Sequence, residues 1–329
     1  MYSVSILVPI YNAERYIERC ARSLFEQTYE NLEFVFVDDC SPDASISILN
    51  DVVEEYPARK SRMKLVRNDC NRGASASKNI AVENATGEFV CFVDSDDWME
   101  LNAVELLVSQ QVKTGADVVW GQLLMHTDHE VIPLEEPPYH SKDEWIRCYC
   151  RLTAGLVMTN SRRIISRELL NRHRIRSIDG YNYAEDKLLM SQVAYYAHGF
   201  STIDDFIYHY NRQNDFSATA RQRSVFNTDV FRQESGSIQQ IVLFFSDKEK
   251  GYYEEVCRAR MRYLKVALDR ALQYSSRKGF KLVVSQIESS DPAFWSEIGW
   301  SSRKRVLYGN YCYMRFFPKV KGLVKRVIR

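Results

Sequence analysis

Glu88-Phe89-Val90-Cys91-Phe92-Val93 runs without a break into Asp94-Ser95-Asp96-Asp97. A short apolar run of β-forming residues that stops abruptly in carboxylates reads as a buried strand delivering acidic groups to its carboxyl end. The same grammar occurs twice upstream. Leu32-Glu33-Phe34-Val35-Phe36-Val37 ends in Asp38-Asp39, and Val4-Ser5-Ile6-Leu7-Val8-Pro9 ends near Tyr11-Asn12. Helical stretches fit between and after these runs, at about 13–27, 43–56, 74–84 and 101–114, with further strands at 63–67 and 116–120. Strand and helix in alternation imply a parallel sheet covered on both faces, and ligands of such sheets bind outside the strands' carboxyl ends.

Beyond residue 122 the pattern is mixed. The segment holding Pro133, Pro137 and Pro138 reads as a loop, followed by helices near 141–151 and 184–197 and a strand near 206–212. From about 224 the chain reads as helices, at 225–245, 252–276 and from about 302. A boundary is expected near 220–225, dividing residues 1–222, with parts over 1–121 and 122–222, from a helical extension over 223–329.

Composition narrows the function classes. At 329 residues, 45% hydrophobic and 26% charged, the chain is an ordinary globular protein. Its net charge of +1 argues against a dedicated nucleic-acid binder. The eight cysteines are scattered and form no CxxC pair, as expected of small buried hydrophobes in a reducing compartment. Neither a charged leader with an apolar stretch nor a run of about 18 apolar residues is present, so a cytoplasmic location is expected.

Asp94, Asp96 and Asp97 are spaced so that oxygen ligands can converge on a hard divalent cation, Mg²⁺ or Mn²⁺, completed by water and phosphate. Such a cation neutralises charge on a departing diphosphate. The plainer reading is an acidic turn capping the helix near Leu101. Of the other pair, Asp39 is expected to face a ligand and accept from a nucleobase N–H, with Asp38 structural or capping the next helix. Tyr11 either stacks on a base or fills the core. Gly73 and the small residues after it permit close backbone approach, and Lys78 is either a cation for phosphate or base, or a surface lysine.

Four stretches in order, VSILVPIYNAERYI (4–17), LEFVFVDDCSPD (32–43), GASASKNIAVENATGEFVCFVDSDDW (73–98) and YNYAEDKLL (181–189), resemble the family 2 glycosyltransferases with the GT-A fold. The likeness is greatest to bacterial enzymes of capsule, exopolysaccharide and lipopolysaccharide assembly, and it covers about residues 3–219. It implies an α/β fold, a Rossmann-like, mostly parallel sheet flanked by helices, with the helical C-terminal extension added. It also implies that Pro9, Tyr11, Asn12 and Glu14 line a nucleoside pocket, with Asp39 on the base. Lys78 stands where the family often has Arg. Asp94 and Ser95 touch ribose and phosphate, Asp96 (with Asp94) holds the metal, and Glu185-Asp186 match an acidic pair whose Asp is the base. Tyr208-His209-Tyr210-Asn211-Arg212, followed by Ser217, resembles the end of the catalytic domain, with Arg212 facing the diphosphate. His209 is either a further metal ligand or a strand histidine without a role. Arg162-Arg163-Ile164-Ile165 departs from the family's phrase and puts acceptor contacts in doubt.

The implied activity is inverting sugar transfer from a nucleotide diphosphate donor, most commonly a UDP-sugar, to a saccharide or lipid-linked saccharide. The alternatives are a nucleotidyltransferase acting on a sugar phosphate, and a non-catalytic nucleotide-sugar-binding protein. After Glu297 the chain has no acidic residue, while Lys319, Lys321, Lys325 and Arg326 alternate with Phe316, Phe317, Val320, Leu323 and Val324. Such a basic amphipathic stretch, within 302–329, suits either an anionic membrane surface or the protein's own helices. The helices before it suit a homodimer.

Overall fold

The computed structural model describes residues 2–136, 138–152, 159–181, 183–214, 226–274 and 276–298. Two compact units divide them, one of residues 2–149 and 159–214, the other of 150–152 and 226–298. The expected basic amphipathic stretch of 302–329, and Ser217, lie outside the described residues.

The first unit opens with β1 (Val4–Ile10), α1 (Ile17–Phe25), β2 (Leu32–Asp38), α2 (Ser45–Glu54), α3 (Pro57–Lys60), β3 (Met63–Arg67), α4 (Ala74–Asn84), β4 (Phe89–Phe92), β5 (Trp98–Met99) and α5 (Ala103–Thr114). It continues with β6 (Val118–His126), β7 (Val131–Leu134), α6 (Lys142–Arg151), β8 (Arg163–Ser166), α7 (Arg167–Arg172), α8 (Glu185–Tyr196) and β9 (Phe200–Asn211). The strands form one sheet in the order β3-β2-β1-β4-β8-β6-β9-β5, with β7 added on β6.

Strands β3, β2, β1 and β4 are parallel neighbours, as alternating strand and helix requires. The rest corrects the mostly parallel expectation. Strand β8 runs antiparallel to both β4 and β6, β5 is antiparallel to β9, and only β6 and β9 pair in parallel. The sheet is mixed because its second half inserts β8, a strand formed of Arg163-Ile164-Ile165-Ser166, between two others. The Pro133 segment is a second correction. It is β7, and it bonds to β6, an edge position where a missing N–H is tolerated.

Burial explains the parallel half. Val4, Ile6, Val8 and Ile10 pack one face of β1 with Phe34 and Phe36 of β2 under Leu24 and Phe25 of α1. Phe25 meets Phe34 edge-on at 5.0 Å. Each such side chain contributes about 1.5–3 kcal/mol by burial. Pro9 sits at the end of this central strand without disrupting it. Odd residues of β1 face β4, as Leu7 shows by accepting from Val93 N at 3.0 Å, and the β4 ladder stops at the Leu7–Phe92 pair. The position without an N–H is therefore the one with no partner strand beside it.

The mixed half closes around polar as well as apolar groups. Trp120 stacks on Trp145 at 5.6 Å and on Phe200 at 5.7 Å. Gly121 lies where the β6–β9 register shifts, and a Cβ there would come within 2.6 Å of the Ile207 side chain. Arg162 and Arg163 are fully buried, and both pair with the buried Glu136 carboxylate, which also accepts from Tyr139 Oη at 2.9 Å. Arg162 further donates to Gly121 O. The Arg162–Ile165 phrase, left open for the acceptor, is core.

The second unit is helical: α9 (Thr228–Phe245), α10 (Lys250–Gln273), α11 (Arg277–Glu288) and a 3-10 helix, Pro292–Ile298. Its core joins Phe231, Met261, Leu264, Leu268, Phe280, Val283 and Ile287. Helix α11 was not expected, and α10 ends earlier than the sequence suggested. Ser276 starts α11, its Oγ accepting from Gly279 N at 3.0 Å.

Removing the carboxylate between two buried guanidinium groups leaves positive charge uncompensated. Glu136→Gln should lose about 3–5 kcal/mol of stability, read as a lower guanidinium midpoint.

Candidate active site

The carboxyl ends of β1, β2 and β4 present the residues singled out by the motifs. After β2, Asp38 is buried and structural. Its Oδ1 accepts from Ser41 N at 2.8 Å, and Arg67 Nε approaches Oδ2 at 3.2 Å. Asp39 is also buried, and its carboxylate organises the approach to α4. It accepts from Asn68 Nδ2, Arg72 N and Gly73 N, each at 2.8 Å. Oδ2 takes only the Gly73 bond among these, so it can accept another donor. Gly73 has φ of 87°, a backbone setting that favours glycine, and it launches the helix carrying Lys78.

Helix α4 then fastens a distant segment. Asn79 Nδ2 donates to Ser177 O at 2.7 Å and to Asp179 Oδ1 at 3.1 Å, and its Oδ1 accepts from Ser177 N at 2.9 Å. Ser75 Oγ donates to Tyr181 O, and Arg72 pairs with Asp179 at 3.5 Å. Residues 75, 78 and 79 share one helix face. This face brings the start of α8 beside Lys78.

Lys78 is neither a surface lysine nor open to solvent; it is 3% exposed. Its Nζ lies 3.1 Å from Asp186 Oδ1, 3.2 Å from Glu185 Oε1 and 3.7 Å from Asp94 Oδ1. Burial alone would lower its pKa, but Asp186, Asp94 and Glu185 outweigh burial and hold it well above the ordinary value. Three carboxylates share one ammonium, so the cluster is short of positive charge. Burial pushes the Asp186 carboxyl up to about 7, Glu185 and Asp94 add to the rise, and Lys78 opposes it.

The acidic turn is held by its last member. Asp97 is buried, its Oδ2 accepting from Tyr208 Oη and its Oδ1 from Asn211 N, both at 2.7 Å. Asp94 N donates to the same Tyr208 oxygen at 3.2 Å, and Asp97 N donates to Asp94 O at 3.0 Å. Pairing of β5 with β9, Trp98 against His209, continues the attachment. The turn does not cap α5, whose N-cap is Asn102. Asp94 has a side chain 40% exposed, and Asp96 is half-buried. Burial and then Asp94 raise the Asp96 carboxyl to about 6, against a 2.9 Å bond from Asn214 Nδ2.

Among the described residues no three His, Cys, Asp or Glu side chains converge on one point as a closed metal cage. Two hard carboxylates whose mutual repulsion a cation would relieve nonetheless fit Mg²⁺ or Mn²⁺, which keep water and substrate phosphate as their remaining ligands. His209 points elsewhere. Its Nδ1 meets His126 Nε2 at 2.9 Å and its Nε2 meets Glu100 at 2.8 Å. The ring stacks on Trp98 at 4.7 Å, and Arg19 lies 3.4 Å from the Trp98 ring centre.

The remaining motif residues stand at the ends of β1 and β9. Tyr11 is 49% exposed and so is not a core aromatic. Asn12 has φ of 54°, and Pro9 is partly exposed. Glu14 reaches the start of α2, its N donating to Asp43 at 2.9 Å and its Oε2 accepting from Ala44 N at 3.2 Å. Ser95 is half-buried within the turn, and Arg212 N donates to His126 O at 2.8 Å. Sequence reasoning missed Asn68, Ser75, Asn79 and Asn214, polar residues whose partners are far along the chain. Tyr208 and Asn211 were legible only as parts of a motif.

A family model described as Glycosyl transferase family 2 matches residues 5–173. The chain belongs to glycosyl transferase family 2. EpsH of Bacillus subtilis, a putative glycosyltransferase, is 42% identical over 115 residues, 35% of this chain and 31% of that protein. WfgD of Escherichia coli, a UDP-Glc:alpha-D-GlcNAc-diphosphoundecaprenol beta-1,3-glucosyltransferase, is 33% identical over 131 residues, 40% of this chain and 49% of that protein. The chain thus spans under half the length of these curated relatives. Residues 1–349 of Staphylococcus aureus TarS, in complex with UDP-GlcNAc, superpose with a TM-score of 0.68 at 20% identity, covering 95% of this chain and 88% of that one. The mannosyltransferase PcManGT of Pyrobaculum calidifontis, in complex with GDP-Man and Mn²⁺, gives 0.57 at 18% identity, covering 95% and 84%. The fold is of the GT-A type.

The charge imbalance around Lys78 carries a stability consequence. Asp186 holds its proton up to about pH 7 when folded but releases it near its ordinary 3.8 when unfolded. Folding therefore takes up a proton in this window, and stability falls as pH rises through it. Asp186→Asn escapes this cost while Lys78 keeps Glu185 and Asp94. At pH 8 its Tm should exceed the parent's by roughly 2–4 °C, and the difference should vanish near pH 4.

Proposed function

We propose that the protein is an inverting, metal-dependent glycosyltransferase that moves a sugar from a nucleotide diphosphate donor, a UDP-sugar, to an acceptor hydroxyl. The observation that carries this reading is the single buried ammonium of Lys78 within 3.7 Å of Asp94 and 3.1 Å of Asp186. It draws a donor-side carboxylate and a basic carboxylate from distant segments into one cluster. Family membership supports the reaction class.

In this reading Tyr11 stacks on the base, Pro9, Asn12 and Glu14 border the nucleoside, and Asp39 accepts from a base N–H through its Oδ2. Asp94 and Ser95 meet ribose and phosphate, and Arg212 meets the diphosphate. A divalent cation held by Asp94 and Asp96 would supply neutralisation of the leaving diphosphate. Asp186, aided electrostatically by Glu185, takes the proton of the acceptor hydroxyl as its oxygen attacks the anomeric carbon. The bond from that carbon to the diphosphate oxygen breaks on the opposite face, which inverts the configuration without a covalent enzyme intermediate. A carboxyl near 7 suits this task, because a base works best with a pKa close to the working pH.

A saccharide or lipid-linked saccharide acceptor is supported by the likeness to WfgD, whose name specifies a lipid-linked diphosphate sugar. We assign the protein to bacterial surface polysaccharide synthesis, cytoplasmic and peripheral at the inner membrane face. Residues 1–222 form the catalytic part in this scheme, and 223–329 form an extension serving the membrane surface through 302–329 and a homodimer contact. No helix among the described residues is long and apolar enough to cross a membrane.

A thermal-shift screen of UDP-, GDP- and dTDP-sugars with Mn²⁺ identifies the donor; stabilisation by UDP-sugars is expected, and none by any nucleotide sugar would end the proposal. With the donor known, Asp186→Asn should lose on the order of 10²–10⁴-fold in kcat while still binding it. Nucleoside diphosphate, rather than pyrophosphate, should be released. The acid limb of kcat/KM should fall below a pKa near 7. In Lys78→Gln that limb should move to higher pH, because the one cation favouring the ionised base is gone.

A further inference from the structure

Within the helical unit, α9, α10 and the turn after α11 line a pocket of about 200 Å³ that opens to solvent. Val242 and Leu243 of α9, Met261 of α10 and Phe294 of the 3-10 helix give it apolar lining. Arg260 of α10 also lines it, and this side chain is unusual. It is 7% exposed, and no carboxylate forms an ion pair with it among the described residues. Its Nη1 donates to Ser290 Oγ and its Nη2 to Gln286 Oε1 at 3.0 Å, both neutral acceptors. Its Nε is buried without any hydrogen-bond partner. A guanidinium carries five N–H donors, so most of its capacity is unused in a place shielded from water.

A buried charge left in this state costs free energy that no neighbour returns. Burial already lowers the Arg260 pKa, which is the direction expected of a cation lacking a counter-charge. The neighbouring hydroxyls supply no counter-charge. Ser246 Oγ donates to Leu243 O at 2.7 Å, and Ser290 Oγ donates to Gln286 O at 2.7 Å. Asp291 lines the same cavity, but its Oδ1 caps the 3-10 helix by accepting from Ala293 N at 2.9 Å. Its negative charge limits the cavity to an occupant of low charge.

We propose that this cavity is a binding site for a small organic anion. A carboxylate or phosphate head pairs with the Arg260 fork, and a short apolar body lies against Val242, Leu243, Met261 and Phe294. The planar fork matches two oxygens of one head group, which a single water cannot do. The site is built entirely from the helical unit, so it is separate from the carboxylate cluster of the sheet and independent of the reaction proposed there.

The test is calorimetric titration of the full chain with hexanoate, phenyl phosphate, inorganic phosphate and 1-hexanol, in parallel with melting curves. Saturable binding is expected from hexanoate or phenyl phosphate, and whichever binds more tightly identifies the head group. Arg260→Met should weaken that binding by at least about tenfold, yet melt no lower than the parent without ligand, since it removes an uncompensated charge. A merely structural arginine would lower the melting temperature instead. Should Arg260→Met not fold, Arg260→Lys decides, because it keeps the charge and loses the fork; unchanged affinity there counts against the site. The proposal is overturned if neither anion binds, if hexanol binds as well as hexanoate, or if Arg260→Met leaves affinity unchanged.

Discussion

A lysine ammonium has three protons to give, and Lys78 donates to Glu185 and Asp186 at the start of α8 while lying 3.7 Å from Asp94 beyond the end of β4. The sequence separation between Lys78 and Asp186 is 108 residues, so no local preference brings them together. What does is α4. Its N-terminus is held by Asp39, and its Ser75 and Asn79 carry the loop that leads into α8. Shift α4 and Asp186, Asp94 and Asp39 all lose their relation. The helix works as a jig for the site.

The acidic turn depends on a second fixture of a different kind. Asp97 spends its carboxylate inward on Tyr208 and the Asn211 amide, while Asp94 approaches Lys78 and Asp96 accepts from Asn214. The turn is thus anchored by its last residue. The Trp98 ring extends this fixture, stacked between His209 and Arg19. His209 belongs to the support of the turn, since both of its ring nitrogens are occupied away from it.

Much of the parallel half was legible because burial on both faces leaves an unmistakable pattern. Strands β1 and β2 begin at Val4 and Leu32, the residues expected, and nearly all of each is buried. The mixed half was not legible, for identifiable reasons. Two arginines hide β8, because their counter-ion Glu136 lies 26 and 27 residues away in a proline-flanked segment. Pro133 hides β7, because a proline marks a loop unless the strand is known to be at an edge. Helix α11 carries apolar residues at 280, 283, 284 and 287, a helical spacing, but the polar stretch before it was taken into α10. At the site the motifs marked individual side chains. The sharing of one cation among three of them is a fact of tertiary packing.

One small feature has an architectural effect. Because β1 outruns β4, the ladder between them ends at the Leu7–Phe92 pair while β1 continues to Ile10. In most sequences the next amide hydrogen on that side would meet no strand to bond. Pro9 has none, so the ladder stops at no cost in unmet donors, a fit secured by an atom the chain lacks.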